Sequence, residues 1–189
     1  MKTVMMRAAA LLLGAAPLAA HAQTAQPGPT LQAVRAKGQV DCGGHPGAPG
    51  FGVMDSRGIY RGLDADTCRA IAAAVFGDAA KARFTTVTSS TRLTALQAGQ
   101  IDVLPRTTTW SHGRDASNGI NFTAINFYDG QGFMVRKSLN ISQAKELDGA
   151  SICITTGTTT ELNLADWARA NNVTFRPVVF ENNVETRHA

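Results

Sequence analysis

The chain has 189 residues, with 18 Lys and Arg against 14 Asp and Glu. Removing Lys2 and Arg7, which fall in the leader described next, leaves 16 cations against 14 acids. So small a surplus, with no basic run, argues against nucleic acid as a partner.

Lys2 and Arg7 precede a small, apolar run from Ala8 to Ala20, and Ala20-His21-Ala22 has the A-x-A form of a cleavage site. Residues 1–22 therefore read as a secretory signal peptide, with an apolar run too short to span a membrane. Residues 23–30 read as a polar, proline-interrupted, disordered lead. Leu31 to Lys37 predicts a short helix stopped by Gly38, and Gln39 to Gly43 a first strand. The glycine- and proline-dense stretch from Gly43 to Gly50 predicts a loop without regular structure.

Asp64 to Phe76 carries Cys68, Ile71, Ala72, Val75 and Phe76 at helical spacing, and Gly77 ends it. Asp64 and Asp66 cap or charge its start. Strands are predicted over Arg83–Val87 and Ile101–Leu104, with a helix over Ser90–Ala98 between them. Phe122–Tyr128 and Gly132–Val135 are two further strand candidates. Ser142–Leu147 predicts a helical turn, Ser151–Thr155 a strand, Thr159–Ala170 a helix and Thr174–Phe180 a strand. The alternation implies an α/β fold with parallel sheets. The pattern starts twice: a first lobe over 31–125, a crossing over 126–136, and a partial second lobe over 137–189. The second group is too small for a self-sufficient sheet, so the chain reads as truncated.

Two segments carry ligand chemistry. Trp110-Ser-His-Gly-Arg-Asp115 offers a guanidinium and hydroxyls. Gly157-Thr-Thr-Thr-Glu161 opens a predicted helix directly after an apolar strand. An Arg holds a carboxylate by paired charge-assisted hydrogen bonds, and a helix N-terminus offers free N–H groups to an anion. Each device alone has a structural reading, as a solvated cation or a helix cap; together they suggest a carboxylate held from two sides. No Cys or His spacing suggests a metal, and no cofactor is implied.

The motifs Gly62-Leu-Asp-Ala-Asp-Thr-Cys68, Ala95-Leu-Gln-Ala-Gly-Gln-Ile-Asp-Val103, Thr108-Thr-Trp110, Arg114-Asp115, Phe127-Tyr-Asp-Gly-Gln-Gly-Phe-Met-Val-Arg136 and Gly157-Thr-Thr-Thr-Glu161 come in one order. In that order, from about Leu31 to Asn183, the chain resembles the periplasmic solute-binding proteins of polar amino-acid ABC transporters, nearest the general L-amino-acid binders. The resemblance implies a periplasmic-binding-protein-like fold of two lobes closing on a free L-amino acid. It implies broad specificity, a periplasmic monomer, and delivery to an inner-membrane ABC transporter permease. It places Arg114 at the ligand carboxylate and Ser111 at the hydroxyl of the same turn, Thr107 and Thr109 at the ligand ammonium, Thr158 and Thr159 at the carboxylate from lobe two, and Phe51 at the pocket mouth. Family members are longer. Glu185 to Ala189 also leaves the family pattern, as a frameshift or premature stop would. Ala48, His45 and Thr107 depart from residues common in relatives.

Two other functional readings stand beside this one. The first is a periplasmic dehydratase-like enzyme on the same scaffold, with His45 as acid/base. The second is a nonfunctional remnant. Export makes disulfides possible. Cys42 and Cys68 lie in one strand–helix unit and are expected to pair, with Cys153 left free. Ile152, Ile154, Leu162, Val178 and Phe180 are expected to stay uncovered, leaving residues 23–189 poorly stable and binding at best around millimolar.

Overall fold

The computed structural model describes residues 26–45 and 47–189. The expected signal peptide and the start of the lead lie outside them. Helix α1 spans Pro29–Lys37, opening two residues inside the expected lead because Pro29 is pre-set for a first helical turn. Strand β1 (Val40–Gly44) follows, then the short strands β2 (Gly47–Ala48), β3 (Gly52–Met54) and β4 (Tyr60–Arg61).

Helix α2 (Leu63–Phe76) ends at Gly77, whose φ of 71° is a left-handed conformation that glycine adopts without strain. Strand β5 (Ala82–Thr86) pairs in parallel with β1, Cys42 opposite Phe84. Cys42 and Cys68 form a disulfide with Cα atoms 6.3 Å apart, pinning α2 onto β1. The apolar face of α2 packs there: Val34, Val40, Cys42, Cys68 and Ala72 are buried, flanked by Ile71, Val75, Phe76 and Phe84. Helix α3 (Arg92–Gln97) seats Ala95 in a second core cluster with Val87 and Ile101.

Helix α4 spans His112–Ser117. Strand β6 (Ser151–Thr155), helix α5 (Thr159–Asn171) and strand β7 (Arg176–Phe180) form the second lobe's βαβ unit, with β6 and β7 parallel. Helix α6 (Asn183–His188) follows.

The structure corrects several expectations. The stretch from Gly43 to Gly50 is not wholly irregular: β2 pairs with β3, and Pro49-Gly50 make the turn between them. Ile101–Leu104 makes one bridge, Val103 to Cys42, rather than a strand. The Asp102 carboxylate takes the Asp41 N–H at 2.8 Å, where a ladder would use a backbone carbonyl. Phe122–Tyr128 and Gly132–Val135 are not strands. A strand needs a neighbour for its N–H and C=O groups, and none of the described residues pairs with either segment. Tyr128 and Met134 stand 83% and 82% exposed. Ile154 is buried, whereas Leu162 and Val178 are exposed as expected.

Residues of the 126–136 segment touch both sides of the cleft. Phe127 meets the Phe51 ring edge-on at 4.8 Å. Gln131 donates to the Thr160 carbonyl at 3.1 Å, and Phe133 packs on Trp167 at 5.3 Å.

Candidate functional site

A cavity of about 440 Å³ lies between the lobes. Of the seven residues singled out from the sequence, Phe51, Thr107, Thr109, Thr158 and Thr159 line it; Ser111 and Arg114 do not. Its wall also holds Ser89, Arg92, Asp129, Cys153, Asn183 and Arg187.

Thr107 is positioned from below. Its N–H donates to the buried Asp64 carboxylate at 3.1 Å, which ties the segment after Arg106 to α2. Asp64 is thus structural, as its sequence setting implied. Burial pushes its carboxyl above the usual carboxylate range, against the Thr107 hydrogen bond and the Arg106 charge. Ser111 caps α4, its Oγ accepting the Arg114 N–H at 3.4 Å. Arg114 donates from Nη1 to the Thr109 carbonyl at 3.0 Å and from Nη2 to the Gly157 carbonyl at 3.5 Å. Its guanidinium therefore sits at the seam of the lobes.

On the other side, Thr158 caps α5. Its hydroxyl accepts the Glu161 N–H at 3.1 Å and donates to the Thr155 carbonyl at 2.7 Å. The Glu161 carboxylate takes the Gly157 N–H at 3.0 Å, so part of this helix start is already satisfied. Across the cleft the Thr159 hydroxyl meets that of Thr109 at 3.0 Å.

At Gly157 the second lobe's backbone closely approaches that of the first. A Cβ there would lie 3.0 Å from the Ser89 carbonyl and from the Ser90 backbone, and its φ is 70°. Only glycine meets both conditions without strain.

Arg92 escaped the sequence reading. It opens α3, where an Arg normally faces water, yet it is 3% exposed. Its Nη2 donates to the Gly157 carbonyl at 3.3 Å. Burial, then the charges of Arg106 and Arg114, push its guanidinium down to about 9. No local signal marks it, because Gly157 arrives from 65 residues away.

His45 is 2% exposed and is not in the cavity wall. Its Nδ1 accepts the Gly47 N–H at 3.0 Å, and its Nε2 contacts the Asn183 side chain at 3.4 Å. Burial and the charges of Arg106, Arg92 and Arg187 push its pKa down to about 4, leaving it neutral at pH 7. Among the described residues no group of three or more His, Cys, Asp or Glu side chains could hold a metal, and no helix is long and apolar enough to cross a membrane.

Residues 40–186 match the model of the bacterial extracellular solute-binding proteins, family 3. The chain is 51% identical over 172 residues to the glutamate/glutamine/aspartate/asparagine-binding protein BztA of Rhodobacter capsulatus, covering 91% of this chain and 51% of that one. It is 52% identical over 177 residues to the general L-amino acid-binding periplasmic protein AapJ of Rhizobium johnstonii, covering 94% and 52%. A solved periplasmic binding protein of an ABC transporter from Brucella ovis, with glutathione bound, superposes with a TM-score of 0.80 at 49% identity, covering 85% of this chain and 50% of that one. The chain thus spans about half the length of the curated relatives it matches. The cleft between two α/β lobes and these matches agree: the chain belongs to the bacterial extracellular solute-binding proteins, family 3.

Proposed function

We propose that the chain binds free L-amino acids in the cleft, with broad specificity, for delivery to an inner-membrane ABC transporter permease. Arg114, with Thr158 and Thr159, holds the ligand carboxylate. Ser111 fixes the Arg114 helix, Thr107 and Thr109 face the ammonium, and Phe51 closes the mouth against Phe127. The single observation that carries this reading is the contact between the two predicted segments beside a cavity whose wall holds Thr109, Thr158 and Thr159 but not Arg114. The Thr109 and Thr159 hydroxyls touch, and Arg114 reaches the Gly157 carbonyl. A guanidinium facing a carbonyl at 3.5 Å exchanges a weak contact for a strong one when a carboxylate arrives. The names of BztA and AapJ support amino acids as the ligand class.

The protein acts as a monomer in the periplasm, exported by residues 1–22, and uses no cofactor or metal. It binds rather than catalyses: the cavity wall is rich in hydroxyls, and His45, the acid/base that the dehydratase reading requires, is buried outside it. A ligand that binds only the folded state raises the unfolding midpoint. Thermal unfolding of the chain with L-amino acids, their D-enantiomers and their methyl esters tests the reading. The L-forms raise the midpoint and the esters do not. An equal response to acid and ester removes the carboxylate clamp.

A further inference from the structure

Helix α6 touches both lobes. Toward its own, the Thr186 hydroxyl meets that of Thr155 on β6 at 2.7 Å. Toward the first, Arg187 donates from Nη2 to the Gly47 carbonyl on β2 at 3.2 Å. Val184 packs on Gly47 so tightly that no Cβ fits there. Asn183, Thr186 and Arg187 line the cavity together with Gly47 and Ala48, so α6 forms part of its wall. A helix of six residues is marginal in water on its own and depends on such contacts.

His45 lies beneath this junction, 2% exposed, with Gly52 of β3 against it. Its Nδ1 accepts the N–H of the same Gly47, which assigns the proton of the neutral ring to Nε2, beside the Asn183 carboxamide. A second proton, on Nδ1, would set N–H against N–H and lose the Gly47 hydrogen bond. The charges acting on the ring are all cationic: Arg106, Arg92 of α3 and Arg187 of α6. Asp64 of α2 acts on Arg106. Strands β2 and β3 carry no titratable side chain, and Glu185 and His188 of α6 are exposed. Arg187 is the one of the three cations that α6 carries, so an imidazolium would push on the helix itself.

We infer that α6 is an acid-released strap: with His45 neutral it joins β6 to β2 across the cleft, and protonation of His45 frees it from β2. The inference is independent of which ligand the cleft holds. Its direction follows from linkage. Docked, His45 is held down to about 4; released, with Arg187 withdrawn and water admitted, it returns toward its ordinary 6.5. The docked state is therefore fully favoured above about pH 6.5 and loses ground as pH falls toward 4.

The test is amide hydrogen exchange followed by NMR from pH 7 to pH 4, corrected for intrinsic rates, in the full chain and in His45→Gln. The reporters are the N–H groups of Gly47 and Thr186, which donate to His45 Nδ1 and to the Asn182 carbonyl. In the native chain their protection falls by about tenfold or more while the amides of α2 keep theirs. In His45→Gln the Thr186 protection stays level. Should that variant be loose at every pH, the His45 Cε1–H resonance of the native chain decides, because it must titrate together with the Thr186 loss. Separate midpoints overturn the strap. So do equal losses in the two chains, a loss that α2 shares, or no loss in the native chain.

Discussion

The hydroxyl oxygens of Thr109 and Thr159 lie 3.0 Å apart, one contributed by each lobe. Between them and the Gly157 carbonyl, which accepts from both Arg92 and Arg114, polar groups span this part of the cleft. A polar seam of this kind suits a cleft that closes and reopens. Each contact is worth only about 0.5–1.5 kcal/mol net, and a ligand can replace it with equivalent hydrogen bonds.

Gly157 should be intolerant of substitution. Gly157→Ala places a methyl group against the Ser89 carbonyl in a left-handed backbone conformation. The conformational cost alone is about 1–2 kcal/mol. Thermal unfolding should show a lowered midpoint, and ligand titration a weakened affinity as the lobes are pushed apart. A variant with native affinity would mean that the close approach has no part in binding.

The Cys42–Cys68 bridge closes a loop of sequence separation 26. In the chain-entropy model such a loop stabilises by about 3–4 kcal/mol. The double variant Cys42→Ala/Cys68→Ala should unfold at markedly lower urea than the oxidised chain, and Cys153 should label as the free thiol. Matching midpoints would place the stability of this lobe elsewhere.

His45 should make the protein acid-sensitive. Its folded pKa of about 4 lies below the usual 6.5, so the unfolded chain takes up the proton first. Stability is therefore full above about pH 6.5, falls as pH drops toward 4, and levels off below that. The loss reaches about 3 kcal/mol. Asp64, whose pKa burial raises, works in the opposite direction: its penalty is absent while it is protonated and returns as pH rises through its folded pKa. Comparing urea unfolding of the native chain and His45→Gln from pH 7 to pH 4 isolates the His45 contribution. Parallel curves for the two would show that the imidazole is not held neutral.

Most of the elements were legible because their signals are local. Gly77 ends α2, Gly38 follows α1, and the apolar spacing of α2 names the face that carries Cys68. What failed depends on distant partners. Phe122–Tyr128 has the aromatic and apolar composition of a strand, but composition says nothing of a neighbouring ladder. Asn183–His188 gave no strong apolar pattern and forms α6 through the Asn182 cap, whose carboxamide oxygen accepts the Val184 and Glu185 N–H groups. At the site, the threonines and Phe51 could be named because they sit in short motifs. Arg92 could not, because the carbonyl that its guanidinium meets, that of Gly157, lies 65 residues away in sequence.

The carboxylate clamp is tested most directly on Arg114. Amide chemical-shift titration detects binding even in the millimolar range. Following the native chain and Arg114→Ala with L-glutamate and L-glutamine compares the two under one condition. The native chain should shift at Thr109, Thr158 and Thr159. The variant should lose about 2–5 kcal/mol of affinity, enough to abolish the response. Equal affinities in the two chains, with shifts at the same threonines, would contradict the assignment of Arg114 to the ligand carboxylate.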